Sequence, residues 1–82
     1  MSRLEKAFQL LEEVLKDRGV PRNVKNVIEE AINTVKNETE SDSVKISTII
    51  SMLDEVSNDP NLSLYARTKV WNVVSKLEEL CK

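Results

Sequence analysis

The sequence predicts an all-α fold, an antiparallel four-helix bundle made of two similar helical hairpins. Three observations predict it. Apolar residues recur at helical spacing in four segments separated by short polar breaks. The single Gly and both Pro fall in or beside those breaks. A shift of the sequence by 42 residues superimposes its apolar positions, so that Leu4, Ala7, Phe8, Leu11 and Val14 fall on Ile46, Ile49, Ile50, Leu53 and Val56. Under the same shift Val24, Ile28, Ala31, Ile32 and Val35 fall on Ala66, Val70, Val73, Val74 and Leu77, and Asp17 falls on Asp59. The helical period forces part of this register. It does not force the equal length of the two connections, which points to a duplicated hairpin.

The first helix is expected to start after Ser2, because Ser2 with Glu5 forms a capping-box pattern that satisfies two orphan amide donors. Leu4, Ala7, Phe8, Leu11, Val14 and Leu15 supply its apolar stripe. Gly19 is expected to end it in the left-handed conformation. Pro21 suits the first turn of the second helix, where its missing N–H is harmless. That helix carries Val24, Val27, Ile28, Ala31, Ile32 and Val35. Residues 37–43 are a polar link between hairpin one (about 3–36) and hairpin two (about 43–80). The third helix spans about Ser43 to Ser57. Asn58-Asp59-Pro60-Asn61 is a turn, because Pro60 presets its own φ and restricts Asp59. The fourth helix starts near Leu62 or Ser63 and runs to about Leu80. Short connections make successive helices antiparallel neighbours, so residues 1–82 form one helical-bundle domain.

Composition fits a helix-rich globular chain. Of 82 residues, 40% are hydrophobic, enough for one small core, and 32% are charged. The lone Cys81 cannot form an internal disulfide, no apolar run is long enough to span a membrane, and the N-terminus lacks a secretion signal. The expected location is the cytoplasm. The formal net charge of −2 gives no bulk attraction to nucleic acid. Charge is unevenly spread. Residues 38–59 hold six acids against Lys45 alone, whereas residues 60–77 hold Arg67, Lys69 and Lys76 without an acid. The plain reading is solvated faces that attract each other across the bundle.

Nothing in the chain assembles an active site. There is no His to act as a base near neutral pH, no Cys pair or Cys/His cluster for zinc, and no Gly-rich phosphate loop. The Glu12-Glu13, Glu29-Glu30 and Glu78-Glu79 pairs are adjacent in sequence and diverge on a helix. The expectation is a non-enzymatic chain with no catalytic residue, no metal site and no cofactor.

Surface features are the remaining source of function. Trp71 lies roughly 120° from the centre of the fourth helix's core stripe and shares a side face with Leu64, Arg67 and Glu78. The same face of the second helix reads Arg22, Lys25, Glu29 and Lys36, all charged. Leu64, Arg67 and Trp71 are therefore the candidate contacts for a partner protein or a second copy, since aromatic residues and Arg concentrate at binding hot spots. The alternative is that Trp71 covers a seam within the monomer. A second candidate is electrostatic. Arg22 and Lys25 begin the second helix, Arg67 and Lys69 begin the fourth, and cations there oppose the helix dipole. In an up-down-up-down bundle these termini share one end, where free amides, four cations, Asn23, Asn26 and Thr68 could take a phosphate, as in a nucleotide or RNA. The plain alternative is that Asp17 and Asp59 neutralise those cations. With one Trp and one Tyr to stack bases, nucleic acid is the less favoured partner.

The run from Ser57 to Asn72, with its Asp59-Pro60-Asn61 and Ala66-Arg67-Thr68 followed by Trp71-Asn72, resembles a small archaeal family of uncharacterised proteins. Val20-Pro21-Arg22-Asn23-Val24 and Glu29-Glu30-Ala31 match it as well, and the resemblance covers nearly the whole chain. It implies an all-helical bundle and archaeal origin, and supplies no catalytic residue. In the family pattern position 63 is usually Pro and position 65 usually His. Ser63 and Tyr65 depart from it, and the second departure argues against any role that needs a titrating imidazole.

Overall fold

The computed structural model describes residues 3–80. Ser2, the expected cap of the first helix, and Cys81 lie outside the described residues. Four helices follow in order: α1 (Arg3–Lys16), α2 (Arg22–Lys36), α3 (Asp42–Ser57) and α4 (Leu64–Leu80). Each packs on the next, α4 closes on α1, and α1 also meets α3 across the diagonal. The result is the expected four-helix bundle, 33 Å along its longest axis.

The apolar stripes converge as their spacing dictates. Ala7, Leu11, Val24, Ile28, Ala31, Ile46, Ile49, Leu53, Ala66, Val70 and Leu77 are fully buried. The outer members of each stripe, among them Leu4, Ile32, Val35, Ile50 and Val56, are half-buried against that core. Phe8 is half-buried at the rim, with the Lys36 ammonium 5.9 Å from its ring centre.

Helix starts are set by side chains and by proline. Ser41 Oγ accepts from the Val44 N–H at 3.3 Å, and Ser63 Oγ accepts from the Ala66 N–H at 3.1 Å. Pro21 does not enter the first turn of α2. It is the residue before that turn, extended at φ −70° and ψ 162°, and its carbonyl accepts from the Lys25 N–H.

The α1–α2 and α3–α4 connections share several bonds at positions 42 residues apart. Asp17 Oδ1 accepts from the Gly19 N–H at 2.8 Å, and Asp59 Oδ1 accepts from the Asn61 N–H at 2.9 Å. The Val20 and Leu62 amides donate to the Asp17 and Asp59 carbonyls. Val20 and Leu62, 42 positions apart, both plug the end of the core at 4% and 7% exposure. The bonds between hairpins are also reciprocal. Tyr65 Oη donates to Asp17 Oδ2 at 2.6 Å, and Asn23, its counterpart 42 residues earlier, donates to Asp59 Oδ2 at 3.2 Å. At the other end Lys45 Nζ reaches the Val35 carbonyl at 3.1 Å, and its counterpart Arg3 reaches the Leu80 carbonyl at 3.4 Å. Cations at helix C-termini satisfy orphan carbonyls and oppose the negative end of the dipole.

Two further expectations need correcting. Gly19 is not left-handed, since no glycine has positive φ. α1 ends at Lys16, and Gly19 is needed for close approach: a Cβ there would sit 2.5 Å from Tyr65 Cε1 and 2.9 Å from Cδ1. Gly19→Ala must therefore push away a ring that its bond to Asp17 holds in place. The substitution is expected to lower the melting temperature by roughly 5–10 °C. The loss should vanish when Gly19→Ala is made in a Tyr65→Ala background, a thermal-melt double-mutant cycle. The second correction concerns Lys45. It is not on a solvated face; it is 5% exposed, with its stem packed and its ammonium on the α2 carbonyl.

Candidate functional site

Among the described residues the large hydrophobic side chains left exposed are Val44 on α3 and Leu64, Tyr65 and Trp71 on α4. Leu64 is 73% exposed and Trp71 is 50% exposed, and both stand outside the buried core. They are seven positions apart, so successive turns present them on one face. Arg67 lies between them and is partly drawn in. Its Nη2 donates to the Asp59 carbonyl at 3.0 Å, which anchors α4 to the end of α3. Its Nε–H is buried and has no hydrogen-bond partner.

The N-termini of α2 and α4 share one end, and neither has an acidic residue in its first turn. The four cations there do not converge. Lys69 Nζ lies 3.5 Å from Asp17 Oδ2, and Arg67 is spent on the Asp59 carbonyl. Arg22 and Lys25 line a separate shallow hollow with Val20, Asn26 and Glu29. The neutralising role foreseen for Asp17 is present in its pair with Lys69. The Asp59 carboxylate is instead taken by the Asn23 amide and the Asn61 N–H.

Asp17 and Tyr65 perturb each other. The Tyr65 hydroxyl first, then the Gly19 N–H and Lys69, hold the Asp17 carboxyl below the ordinary carboxylate value. The same bond to Asp17, with some burial, raises the Tyr65 phenol above its ordinary value. Both shifts favour the pair of carboxylate and neutral phenol, so the linkage has two limits. The carboxyl contribution is complete above the ordinary carboxylate value and is lost as pH falls through the lowered one. The phenol contribution is complete below the ordinary phenol value and is lost as pH rises through the raised one. Tyr65→Phe is therefore expected to lower the urea midpoint at neutral pH, with the difference from wild type shrinking in strong acid. A constant difference across that range would refute the assignment.

Sequence reasoning missed three of these groups: the Tyr65–Asp17 bond, the Val20 and Leu62 plugs, and buried Lys45. The first two carried a signal in the 42-residue shift, which sets Tyr65 opposite Asn23 and Leu62 opposite Val20. Among the described residues no group of three or more His, Cys, Asp or Glu side chains is placed to hold a metal ion. No helix among them is long and apolar enough to cross a membrane.

Comparison with known proteins agrees with the fold and names a family. The chain is 43% identical over 72 residues to a UPF0147 protein of Methanothermobacter thermautotrophicus, covering 88% of this chain and 71% of that one. It is 44% identical over 71 residues to the UPF0147 protein MJ1419 of Methanocaldococcus jannaschii, covering 87% and 76%. Among solved structures it is similar to a UPF0147 protein from Thermoplasma acidophilum, with a TM-score of 0.83, 37% identity and coverage of 95% and 92%. It is also similar to MMP1188, a protein of unknown function, with a TM-score of 0.80, 38% identity and coverage of 93% and 86%. Residues 1–80 match the model of UPF0147, and the chain belongs to this uncharacterised protein family, whose relatives compared above from named organisms are archaeal.

Proposed function

We propose that this protein is a non-enzymatic interaction module of the cytoplasm that docks a partner protein through Leu64, Arg67 and Trp71 of α4. The observation that carries the reading is the exposure of Leu64 and Trp71 outside the core, at positions whose counterparts 42 residues earlier are Arg22 and Glu29. The fold does not need apolar groups on that face. A half-exposed Trp beside a fixed Arg matches the composition of binding hot spots. The bond from Arg67 to the Asp59 carbonyl holds its side chain in place before binding, so less entropy is lost when a partner arrives.

The competing reading, phosphate or RNA binding by Arg22, Lys25, Arg67 and Lys69, has weaker support because Arg67 and Lys69 already have partners within the fold. Affinity capture from native cells, with protein and nucleic acid both identified, separates the two. The expected result is a protein retained by wild type and lost by Leu64→Ala/Trp71→Ala while the circular dichroism is unchanged. Capture of nucleic acid that weakens steeply with salt, and is lost on Arg22→Ala/Lys25→Ala, would replace this reading with the other.

A further inference from the structure

A groove of about 390 Å³ runs between α2 and α3, and none of Leu64, Arg67 and Trp71 lines it. Its floor is apolar, made by Val27, Met52 and Val56, and its rim carries the carboxylates of Glu30, Glu55 and Asp59. No cation lines it, and among the described residues neither the Glu30 nor the Glu55 side chain is in an ion pair or hydrogen bond. Arg67 approaches Asp59 at its carbonyl and leaves the carboxylate to Asn23 and the Asn61 amide.

The 42-residue correspondence of positions supplies a built-in comparison. The counterpart groove, between α4 and α1, is lined by Leu10 and Val14 where the first has Met52 and Val56. Three exchanges distinguish the two grooves, and Lys76 adds a second cation to the α4–α1 groove. Lys69 stands where the first groove has Val27, and its ammonium lies 3.5 Å from Asp17. Tyr65 stands in place of Asn23 and spans to the same carboxylate at 2.6 Å. Asn72 stands in place of Glu30, so the α4–α1 groove loses a carboxylate at that position. The second hairpin thus provides Lys69 and Lys76 for its groove, whereas the α2–α3 groove has a valine, no cation and an extra carboxylate.

We infer that the α2–α3 groove is a docking site for a basic amphipathic segment of a partner protein, which seats a lysine on Val27, Met52 and Val56 with its ammonium among Glu30, Glu55 and Asp59. The counterpart groove shows the chemistry, an alkyl stem on an apolar floor and an ammonium on the loop aspartate. Electrostatic complementarity then selects basic over acidic segments. Met52 adapts its shape to the stem that enters. This surface is separate from Leu64 and Trp71, so the inference does not rest on the reading of α4.

Nitrogen-15 amide NMR of the full chain tests it, with a blocked helical peptide of alanine, leucine and lysine and its counterpart carrying glutamate for lysine. The lysine peptide is expected to shift Val27, Met52 and Val56 and to bind at least about tenfold tighter than the glutamate peptide. Val27→Lys puts a lysine in the groove from within, and is expected to weaken the lysine peptide at least about tenfold without lowering the melting temperature. Glu30→Gln/Glu55→Gln should weaken it similarly, and Leu64→Ala/Trp71→Ala should bind it as wild type does. Equal binding of the two peptides, binding of neither, shifts confined to another surface, or wild-type affinity in Val27→Lys overturns the inference. Concentration-dependent shifts at these residues without peptide would also overturn it, because they would make a second copy the occupant.

Discussion

Leu53→Ala is expected to destabilise the protein by about 2–5 kcal/mol, the largest stability loss of any single truncation considered for this bundle. Leu53 has no exposed surface, and its helix α3 packs on α2, α4 and, across the diagonal, α1. Removing its side chain leaves a cavity that no single neighbour can fill, so the transfer term and the cavity term add. At about 0.05–0.15 kcal/mol per residue a chain this short has roughly 4–12 kcal/mol in total, and the loss is a large share of it. Urea denaturation followed by circular dichroism should show a lower midpoint with an unchanged slope. Ile50→Ala, one stripe position away and half-buried, should cost distinctly less. Equal losses at the two sites would mean that the core is not centred as described.

The second large effect is on binding. Leu64→Ala and Trp71→Ala are each expected to weaken the partner complex by about 2 kcal/mol or more, roughly 30-fold, measured by calorimetry with the captured partner. The two residues should be coupled, because seven positions along one helix place them in a single contact patch. Arg67→Lys should also weaken binding. A lysine cannot reproduce the planar guanidinium that bonds to the Asp59 carbonyl. Retention of full affinity in Leu64→Ala/Trp71→Ala would remove α4 as the contact surface.

Much of this molecule was legible in the sequence because its fold follows from periodicity. The stripes through Leu11, Ile28, Leu53 and Val70 mark buried faces by spacing alone, and the caps at Ser41 and Ser63 start helices within one or two residues of where the pattern puts them. What stayed hidden depends on how the hairpins approach each other. Lys45 looks like a surface cation until α2 ends beside it and offers a carbonyl. Gly19 looks like a left-handed cap until the Tyr65 ring, 46 residues later, is found against it. Arg67 reads as a free cation at a helix N-terminus, but the α3–α4 turn places a carbonyl within its reach. The exposed pair Leu64 and Trp71 was legible, because an apolar residue off the core stripe needs no tertiary information to be noticed. The groove between α2 and α3 was not, because it forms from two helices whose separation only the packed structure defines.

The claim at the centre of this account is that the α4 face belongs to a contact and not to the core. The most direct test is the equilibrium stability of Trp71→Ala, measured by urea denaturation with circular dichroism because the chain has no other Trp. The account predicts a loss of no more than about 1 kcal/mol, as for a half-exposed side chain outside the core. A loss of about 3 kcal/mol or more, the range for truncating a buried aromatic, would contradict it and make Trp71 part of the packing.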